Sequence, residues 1–257
     1  MNTEDINNRT LSGLSVLIGR PAGWAHRWRA AFETEGAVVI HQPALTISSV
    51  TPPASTLEAL EGFGRSHSAV FSSRPAVEHG LSLPGVKNHL QQGTCWAVGR
   101  QTARELMAAG MGSVRIPSDG YGADALLHDP EFPSADKVWL FGAQGGRTVI
   151  ARTLAERGID VRNVWVYQRS PAPLDVDAQN QLAAVKAGSL LVIASSIAVL
   201  ERLHELHGSA LDHQHLVSLG HRISLAAEKY RFATIVTAQS PDLPSILAAA
   251  KLASQHR

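Results

Sequence analysis

Short runs of apolar, often β-branched residues alternate along the chain with stretches whose apolar residues recur every three or four positions. The first pattern is typical of buried strands and the second of amphipathic helices, so the alternation predicts an α/β fold with parallel strands joined by helices. The predicted strands are 15–18, 38–40, 69–71, 96–98, 114–116, 138–141, 161–166, 190–194, 216–219 and 234–237. The predicted helices are 22–35, 75–81, 101–109, 146–157, 177–187, 197–207, 223–230 and 241–253.

The chain also resembles itself at a spacing of 122 residues. Two segments share one order of strand, glycine-containing turn, helix, glycine and strand. The matches are 14–40 with 136–162, Gly23 with Gly145, Gly36 with Gly158, 70–77 with 192–199 and, at a spacing of 121, Gly99 with Gly220. One match is common between any two doubly wound sheets, but several at nearly one spacing favour two similarly built lobes.

The composition is that of a folded protein, with 44% hydrophobic and 18% charged residues among 257. A formal net charge of +1 lacks the basic excess expected of a protein that binds nucleic acid. The single cysteine, Cys95, allows neither an intramolecular disulfide nor a CxxC metal site, which fits a reducing compartment. A polar N-terminal stretch and the lack of a run of about 18 apolar residues predict a cytoplasmic protein without a signal peptide or membrane span.

Ligands of open α/β sheets bind beyond the carboxyl ends of the strands, where loops and helix N-termini present backbone N–H groups. Each lobe places two serines there, Ser72-Ser73 and Ser195-Ser196. Helix capping and binding of a ligand carboxylate are both compatible with these positions, whereas a nucleophilic serine lacks its GxSxG elbow. The turn 142–148 is neither GxGxxG nor GxxxxGK[ST], which argues against a nucleotide site.

Two other groups of residues suggest chemistry but have simpler explanations. Five histidines fall within 204–221, yet no cysteine lies near them and Asp212 is the close carboxylate, which is more typical of a polar helix end and loop than of a zinc site. Cys95 is expected beside a buried strand rather than as a reactive thiol, and the five tryptophans are expected to pack in cores.

Two residues at the ends of predicted strands carry more specific chemistry. Arg20 directly follows the first strand, so its guanidinium either binds an anionic ligand or is an exposed group without function. Tyr167 precedes a break at Pro171 and Pro173. It either packs in a connector or donates the proton of its hydroxyl to a departing oxygen.

Six motifs in this order and spacing resemble those of the uroporphyrinogen-III synthase family, over nearly the full chain after the first dozen residues. They are 17–21 (LIGRP), 71–77 (FSSRPAV), 98–103 (VGRQTA), 142–147 (GAQGGR), 166–169 (VYQR) and 194–199 (ASSIAV). The resemblance implies two flavodoxin-like parallel-sheet α/β domains joined by a two-stranded linker. The first domain would comprise 1–42 and 167–257, and the second 43–166.

The resemblance also implies a reaction, the cyclisation of hydroxymethylbilane to uroporphyrinogen III with loss of water and inversion of the terminal pyrrole ring. The substrate is a linear tetrapyrrole with eight carboxylates, and loss of its hydroxyl gives an azafulvene cation, so positioning is most of the enzyme's task. No metal and no other cofactor is implied. The expected protein is a monomer that receives hydroxymethylbilane from the synthase of that compound and binds neither nucleic acid nor membrane.

By the same resemblance, Tyr167 is the catalytic residue and donates a proton to the leaving hydroxyl. The residues expected to bind substrate carboxylates are Arg20, Ser72, Ser73, Gly99, Thr102, Gly142, Ser195, Ser196 and Gly220. The chain departs from the common pattern at Ser72, Ala194, Pro75 and Phe141, and its late turn reads GHRIS over 220–224. The alternative is therefore a non-catalytic tetrapyrrole or small-anion binding module of the same fold.

Overall fold

A computed structural model describes residues 10–133, 135–146 and 148–256. Most of the polar N-terminal stretch, and Arg147 of the glycine-rich turn, lie outside the described residues. Among the helices of the described ranges, none combines the length and the apolar character needed to span a bilayer.

The chain forms two compact units. Unit 1 comprises the residues up to Thr46 and those from Ser170 on, and unit 2 is Ile47–Arg169. Both boundaries fall inside strands, β3 (Leu45–Ser49) and β8 (Asp160–Pro171). The division expected from the resemblance, after residue 42 and before residue 167, lies a few residues earlier along the chain at each crossing.

Unit 1 contains a five-stranded parallel sheet in the order β11-β10-β9-β1-β2. Its strands are β1 (Ser15–Ile18), β2 (Val38–His41), β9 (Leu190–Ala194), β10 (His215–Ser218) and β11 (Thr234–Thr237). Its helices are α1 (His26–Thr34), α8 (Val176–Ala183), α9 (Ile197–His207), α10 (His221–Ala227) and α11 (Leu243–Ala253). Every residue of β9 is buried, because helices cover both faces of the sheet with separate apolar clusters.

Unit 2 contains a six-stranded sheet in the order β3-β8-β7-β4-β5-β6, in which the strands from β8 to β6 are parallel. Its remaining strands are β4 (His67–Phe71), β5 (Thr94–Ala97), β6 (Val114–Arg115) and β7 (Lys137–Ala143). Its helices are α2 (Ala54–Glu61), α3 (Arg74–Leu81), α4 (Val86–Leu90), α5 (Arg100–Ala108), α6 (Gly122–His128) and α7 (Val149–Glu156). The predicted architecture of two parallel-sheet α/β domains is confirmed.

All ten predicted strands are present, but β8 runs well past its predicted end and β3 was not predicted. Helices α2, α4 and α6 were also missed. The first predicted helix is interrupted, since a 3-10 turn over Ala22–Trp24 precedes α1. The strand and helix order is therefore predictable from the pattern, whereas short or exposed elements are not.

Candidate active site

Predicted site residues of unit 2 meet at the carboxyl edge of four neighbouring strands, β8, β7, β4 and β5. Tyr167 on β8 pairs with Ala143 of β7, next to Gly142. Ser72 and Ser73 directly follow β4, which pairs with β7 on one side and β5 on the other. Parallel strands end at one edge of a sheet, so residues that are far apart in the chain become neighbours here.

A bulge orients the Tyr167 side chain. Gly142 of β7 pairs with Trp165 of β8, but the next residue, Ala143, pairs with Tyr167. The register therefore shifts at this point, and Val166 is left as an extra residue in β8. Successive side chains of a regular strand point to opposite faces, but Val166 and Tyr167 both belong to the same buried cluster. The bulge thus turns Tyr167 towards the face that α3 covers, which is a common use of bulges next to functional sites.

The Tyr167 side chain is 0% exposed, and its hydroxyl makes two hydrogen bonds. Arg169 Nη2 donates to the phenolic oxygen at 2.8 Å, and Ser73 Oγ lies 2.9 Å from the same oxygen. The Arg169 guanidinium also lies 5.5 Å from the centroid of the tyrosine ring, and the ring of His79 stacks beside it at 6.1 Å. Tyr167 is therefore held on several sides by polar groups of unit 2.

Ser73 caps helix α3, since its Oγ accepts a hydrogen bond from Ala76 N at 3.4 Å. The capping interpretation of this serine is thus correct, and it coexists with the contact to Tyr167. Its neighbour Ser72 explains the glycine at 142, because a Cβ at Gly142 would lie 3.1 Å from Ser72 Oγ. A Cβ at position 142 would therefore require the Ser72 hydroxyl to shift by a few tenths of an ångström.

Gly99 and Thr102 lie at the start of α5. Gly99 is the N-cap residue in an extended conformation and supplies no side-chain cap, so the first N–H groups of this helix are not satisfied by a capping side chain. Thr102 is only 6% exposed and faces the interior. Gly99 is therefore placed to bind an anion through the backbone, whereas the Thr102 hydroxyl is mostly covered.

Predicted residues of unit 1 lie at the equivalent edge of its own sheet, beyond β1, β9 and β10. The Arg20 guanidinium lies 4.4 Å from the ring centroid of Trp28, and the backbone carbonyl oxygen of Arg20 is 2.8 Å from His41 Nε2. Ser195 follows β9, and Ser196 caps α9 by accepting from Val199 N at 3.2 Å. The predicted residues of unit 1 therefore lie along one edge of its sheet.

The turn after β10 lies beside a group of hydroxyl side chains. Ser224 Oγ lies 2.6 Å from Ser218 Oγ and 2.6 Å from Thr237 Oγ1. Gly220, which precedes α10, is extended and has open space where a side chain would be. Ser218, Ser224 and Thr237 thus form a cluster of three hydroxyl groups beside this turn.

Other titratable groups are built into the cores rather than into this edge. Burial raises the pKa of the Cys95 thiol to about 12, so the thiolate is disfavoured. Burial likewise lowers the pKa of His207. Within the described ranges, no three His, Cys, Asp or Glu side chains form a group that suits a metal ion.

A cavity of about 250 Å³ lies in unit 2, apart from the predicted site residues. It is lined by Trp96, Arg115, Ile116, Ser118, Asp129, Pro130 and Glu131, none of which was predicted as a site residue.

Arg169 is the functional candidate that the sequence reasoning missed. It ends the 166–169 motif, two residues after Tyr167, and residues two apart on a strand share a face. That spacing places Arg169 on the same side of the strand as Tyr167. It is the sequence signal from which their contact could be predicted. An arginine at this distance supplies a fixed hydrogen-bond donor and a permanent positive charge.

Comparison with known proteins identifies relatives of this chain. The family model described as Uroporphyrinogen-III synthase HemD matches residues 26–248. The uroporphyrinogen-III synthase of Escherichia coli (strain K12) is 23% identical over 251 residues, covering 92% of this chain and 99% of that protein. That of Salmonella typhimurium is 26% identical over 142 residues, covering 54% and 55%.

Solved structures show the same fold. A mutant uroporphyrinogen III synthase from the extremely thermophilic bacterium Thermus thermophilus superimposes with a TM-score of 0.60 at 20% identity, over 95% of this chain and 100% of that chain. The Helicobacter pylori 26695 enzyme gives a TM-score of 0.61 at 17% identity, over 92% and 97%. Since the family model spans most of the sequence, the chain belongs to the uroporphyrinogen-III synthase family.

Proposed function

We propose that this protein is a uroporphyrinogen-III synthase that converts hydroxymethylbilane into uroporphyrinogen III and water. The observation that carries the proposal is the family match over residues 26–248, and the edge geometry of each unit supports it. Polar turns at that edge can bind a substrate with many carboxylates, even though the protein itself has no large net charge.

The carboxylate-binding groups in this proposal are the backbone N–H groups and hydroxyls at the strand ends. In unit 2 they are Ser72, Ser73, Gly99, Gly142 and Thr102, the last through its backbone N–H because its hydroxyl is covered. In unit 1 they are Arg20, Ser195, Ser196 and Gly220. Arg20 adds a positive charge, and Gly99 precedes uncapped N–H groups of α5. Binding several carboxylates at once fixes the bilane in one folded conformation, which favours closure over the uncatalysed alternatives.

Tyr167 is the catalytic residue of this proposal and the source of the proton that the departing hydroxyl needs. Its hydroxyl beside Arg169 suits the task, because the guanidinium stabilises the negative charge that develops on the phenolic oxygen as the proton leaves. The protein acts as a monomer on substrate supplied by hydroxymethylbilane synthase, with no metal or other cofactor in the proposed reaction.

The test is to supply freshly generated hydroxymethylbilane and to separate uroporphyrinogen isomers III and I by chromatography after oxidation. Isomer III above the spontaneous background supports the proposal. Saturable binding of the bilane with only isomer I formed would instead identify a non-catalytic binding module, and the absence of both would reject a tetrapyrrole function.

A further inference from the structure

The hydrogen bonds around Tyr167 favour one direction for its proton. Arg169 has only donors, so the phenolic oxygen accepts from Nη2 at 2.8 Å. With the side chain 0% exposed, no solvent reaches the phenolic proton, and Ser73 Oγ at 2.9 Å is the acceptor beside it. Either oxygen of this pair could donate, but only the orientation in which Tyr167 donates to Ser73 gives the buried phenolic proton an acceptor.

In this arrangement Ser73 Oγ accepts two hydrogen bonds, one from the Tyr167 hydroxyl and one from Ala76 N at 3.4 Å. Its own proton remains available to a further acceptor. Ser73 is partly exposed, unlike Tyr167, and it stands at the start of α3 where the helix dipole favours negative charge. A substrate atom at this edge meets the serine before the buried tyrosine.

We propose that Ser73 delivers the proton to the leaving hydroxyl, that Tyr167 replenishes Ser73 from behind, and that Arg169 is the positioning residue that holds the phenolic oxygen. This proposal rests on the proposed function and refines its catalytic step. It assigns the substrate contact to Ser73. The source of acid is then a three-residue relay, from Arg169 to Tyr167 to Ser73, in which only Tyr167 is buried.

The step balances without a further reactant. As the C–O bond of the hydroxymethyl group breaks, the oxygen keeps the electron pair, takes the Ser73 proton and departs as water. Ser73 takes the Tyr167 proton, and the phenolate is held by the Arg169 N–H donor. The pyrrole carbon that later forms the closing bond loses its hydrogen as a proton, which returns through Ser73 to Tyr167.

The test compares single-turnover rates of isomer III formation for the full-length wild type and variants Ser73→Ala, Tyr167→Phe and the double variant. General acids contribute about 10²–10⁴-fold, so we expect each single variant to be slowed by about 100-fold. Because both groups act in one relay, the double variant should be no slower than the slower single variant. Multiplied losses, or a Ser73→Ala rate equal to that of the wild type, would overturn the relay.

Loss of the α3 cap is a separate consequence of Ser73→Ala and needs its own controls. Ser73→Thr keeps a hydroxyl and should restore most of the rate. Asp175→Ala removes a comparable cap, because Asp175 Oδ1 accepts from Ala178 N at 3.0 Å, and it should keep the wild-type rate despite a similar fall in thermal midpoint. A Thr variant as slow as the Ala variant counts against the serine as donor.

The arginine is tested against another arginine of the same strand. Arg169→Gln should be slowed by about tenfold, whereas Arg162→Gln, which removes a cation paired with Asp160, should be unaffected. Millimolar guanidinium chloride should recover part of the Arg169→Gln rate, since Arg169 is exposed and its place is accessible. Equal rates for the two glutamine variants would remove Arg169 from the relay. A wild type that forms no isomer III would instead reject the proposed function itself.

Discussion

The two units build matching sheets from segments in different chain order. Across the sheet, β2-β1-β9-β10-β11 of unit 1 corresponds to β8-β7-β4-β5-β6 of unit 2. Unit 1 begins with its two matched strands β1 and β2, whereas unit 2 ends with their counterparts β7 and β8. The orders are circular permutations of one another, so position in the sheet, and not position in the chain, decides which residues meet at the carboxyl edge.

Matched positions of the two cores exchange large and small residues. In unit 2, Phe141 of β7 stacks on Phe71 of β4 with centroids 4.6 Å apart, and Gly80 of α3 leaves room for these rings. In unit 1, Gly19 takes the place of Phe141, and Val199 and Leu203 of α9 fill the space instead. Each unit is close-packed, but the bulk lies on the strands in one and on the helix in the other.

The largest expected effect comes from removing that bulk in unit 2. We expect Phe141→Ala to lower the free energy of unfolding by about 3–5 kcal/mol, since the residue is 0% exposed and the stacked pair loses one ring. Chemical denaturation monitored by circular dichroism measures this. A loss below about 1 kcal/mol would show that the cavity collapses and that the stacked pair contributes little.

Adding bulk to unit 1 tests the other half of the exchange. A Cβ at Gly19 would lie 2.6 Å from Val199 Cγ1, so Gly19→Ala should destabilise the protein by about 2 kcal/mol. Val199→Ala introduced together with it should recover part of the loss, because it removes the clashing methyl group. Gly23→Ala is the matched control in the same unit, with no atom within 4 Å of the added carbon. Equal effects at the two glycines would argue against steric packing as the reason for Gly19.

Much of the fold follows from apolar periodicity, since all predicted strands are present. The missed strand β3 exposes most of its residues, and so it lacks the buried apolar run that marks the others. Helix α6 begins at a glycine with positive φ and spans a short segment, which gives little helical pattern. These elements depend on tertiary packing that the local sequence does not encode.

Much less of the candidate site is predictable than of the fold. The internal spacing of 122 pairs Ser73 with Ser195, but the caps show that Ser73 and Ser196 play the same part in α3 and α9. A serine doublet tolerates this shift of one residue without a visible change in pattern. The burial of Tyr167 depends on the bulge opposite Ala143, and strict alternation along β8 would not reveal it.

Each unit also contains a carboxylate whose pKa is lowered by hydrogen bonds, Asp129 in unit 2 and Glu35 in unit 1, and the donors differ. In unit 2, the Ser118 backbone N–H at 2.7 Å, helped by its hydroxyl at 2.8 Å and by Glu131 N at 2.9 Å, lowers the pKa of Asp129 against the opposing effect of burial. A lowered native pKa gives stability that is present above the unfolded-state pKa and is lost as the pH falls through the native value.

Asp129→Asn should therefore cost about 1.5 kcal/mol near neutral pH, because a charged acceptor of several donors is lost. The difference from the wild type should begin to shrink as the pH falls below about 4, the ordinary pKa of an unfolded aspartate, and should vanish below the lowered native pKa, where the folded wild-type carboxyl also becomes neutral. Urea unfolding at a series of pH values measures it. A constant difference across the acid range would show that the side-chain charge is not the stabilising feature.

The Glu35 carboxylate of unit 1 should contribute the least to the free energy of unfolding, and its contribution should depend the most on salt. Glu35 accepts from Lys251 Nζ at 2.8 Å, which is the main cause of its lowered pKa, and from Thr10 Oγ1 at 2.9 Å. Since the lysine side chain is 37% exposed, solvent screens the pair, and Glu35→Gln should cost only about 0.5 kcal/mol. High salt should remove most of that difference but leave the effect of Asp129→Asn, whose main donors are neutral N–H and O–H groups. If salt reduced both effects equally, the contrast between an ion-paired and a backbone-held carboxylate would be wrong, and the lowered pKa of Asp129 would have to come chiefly from the positive charge of Arg115.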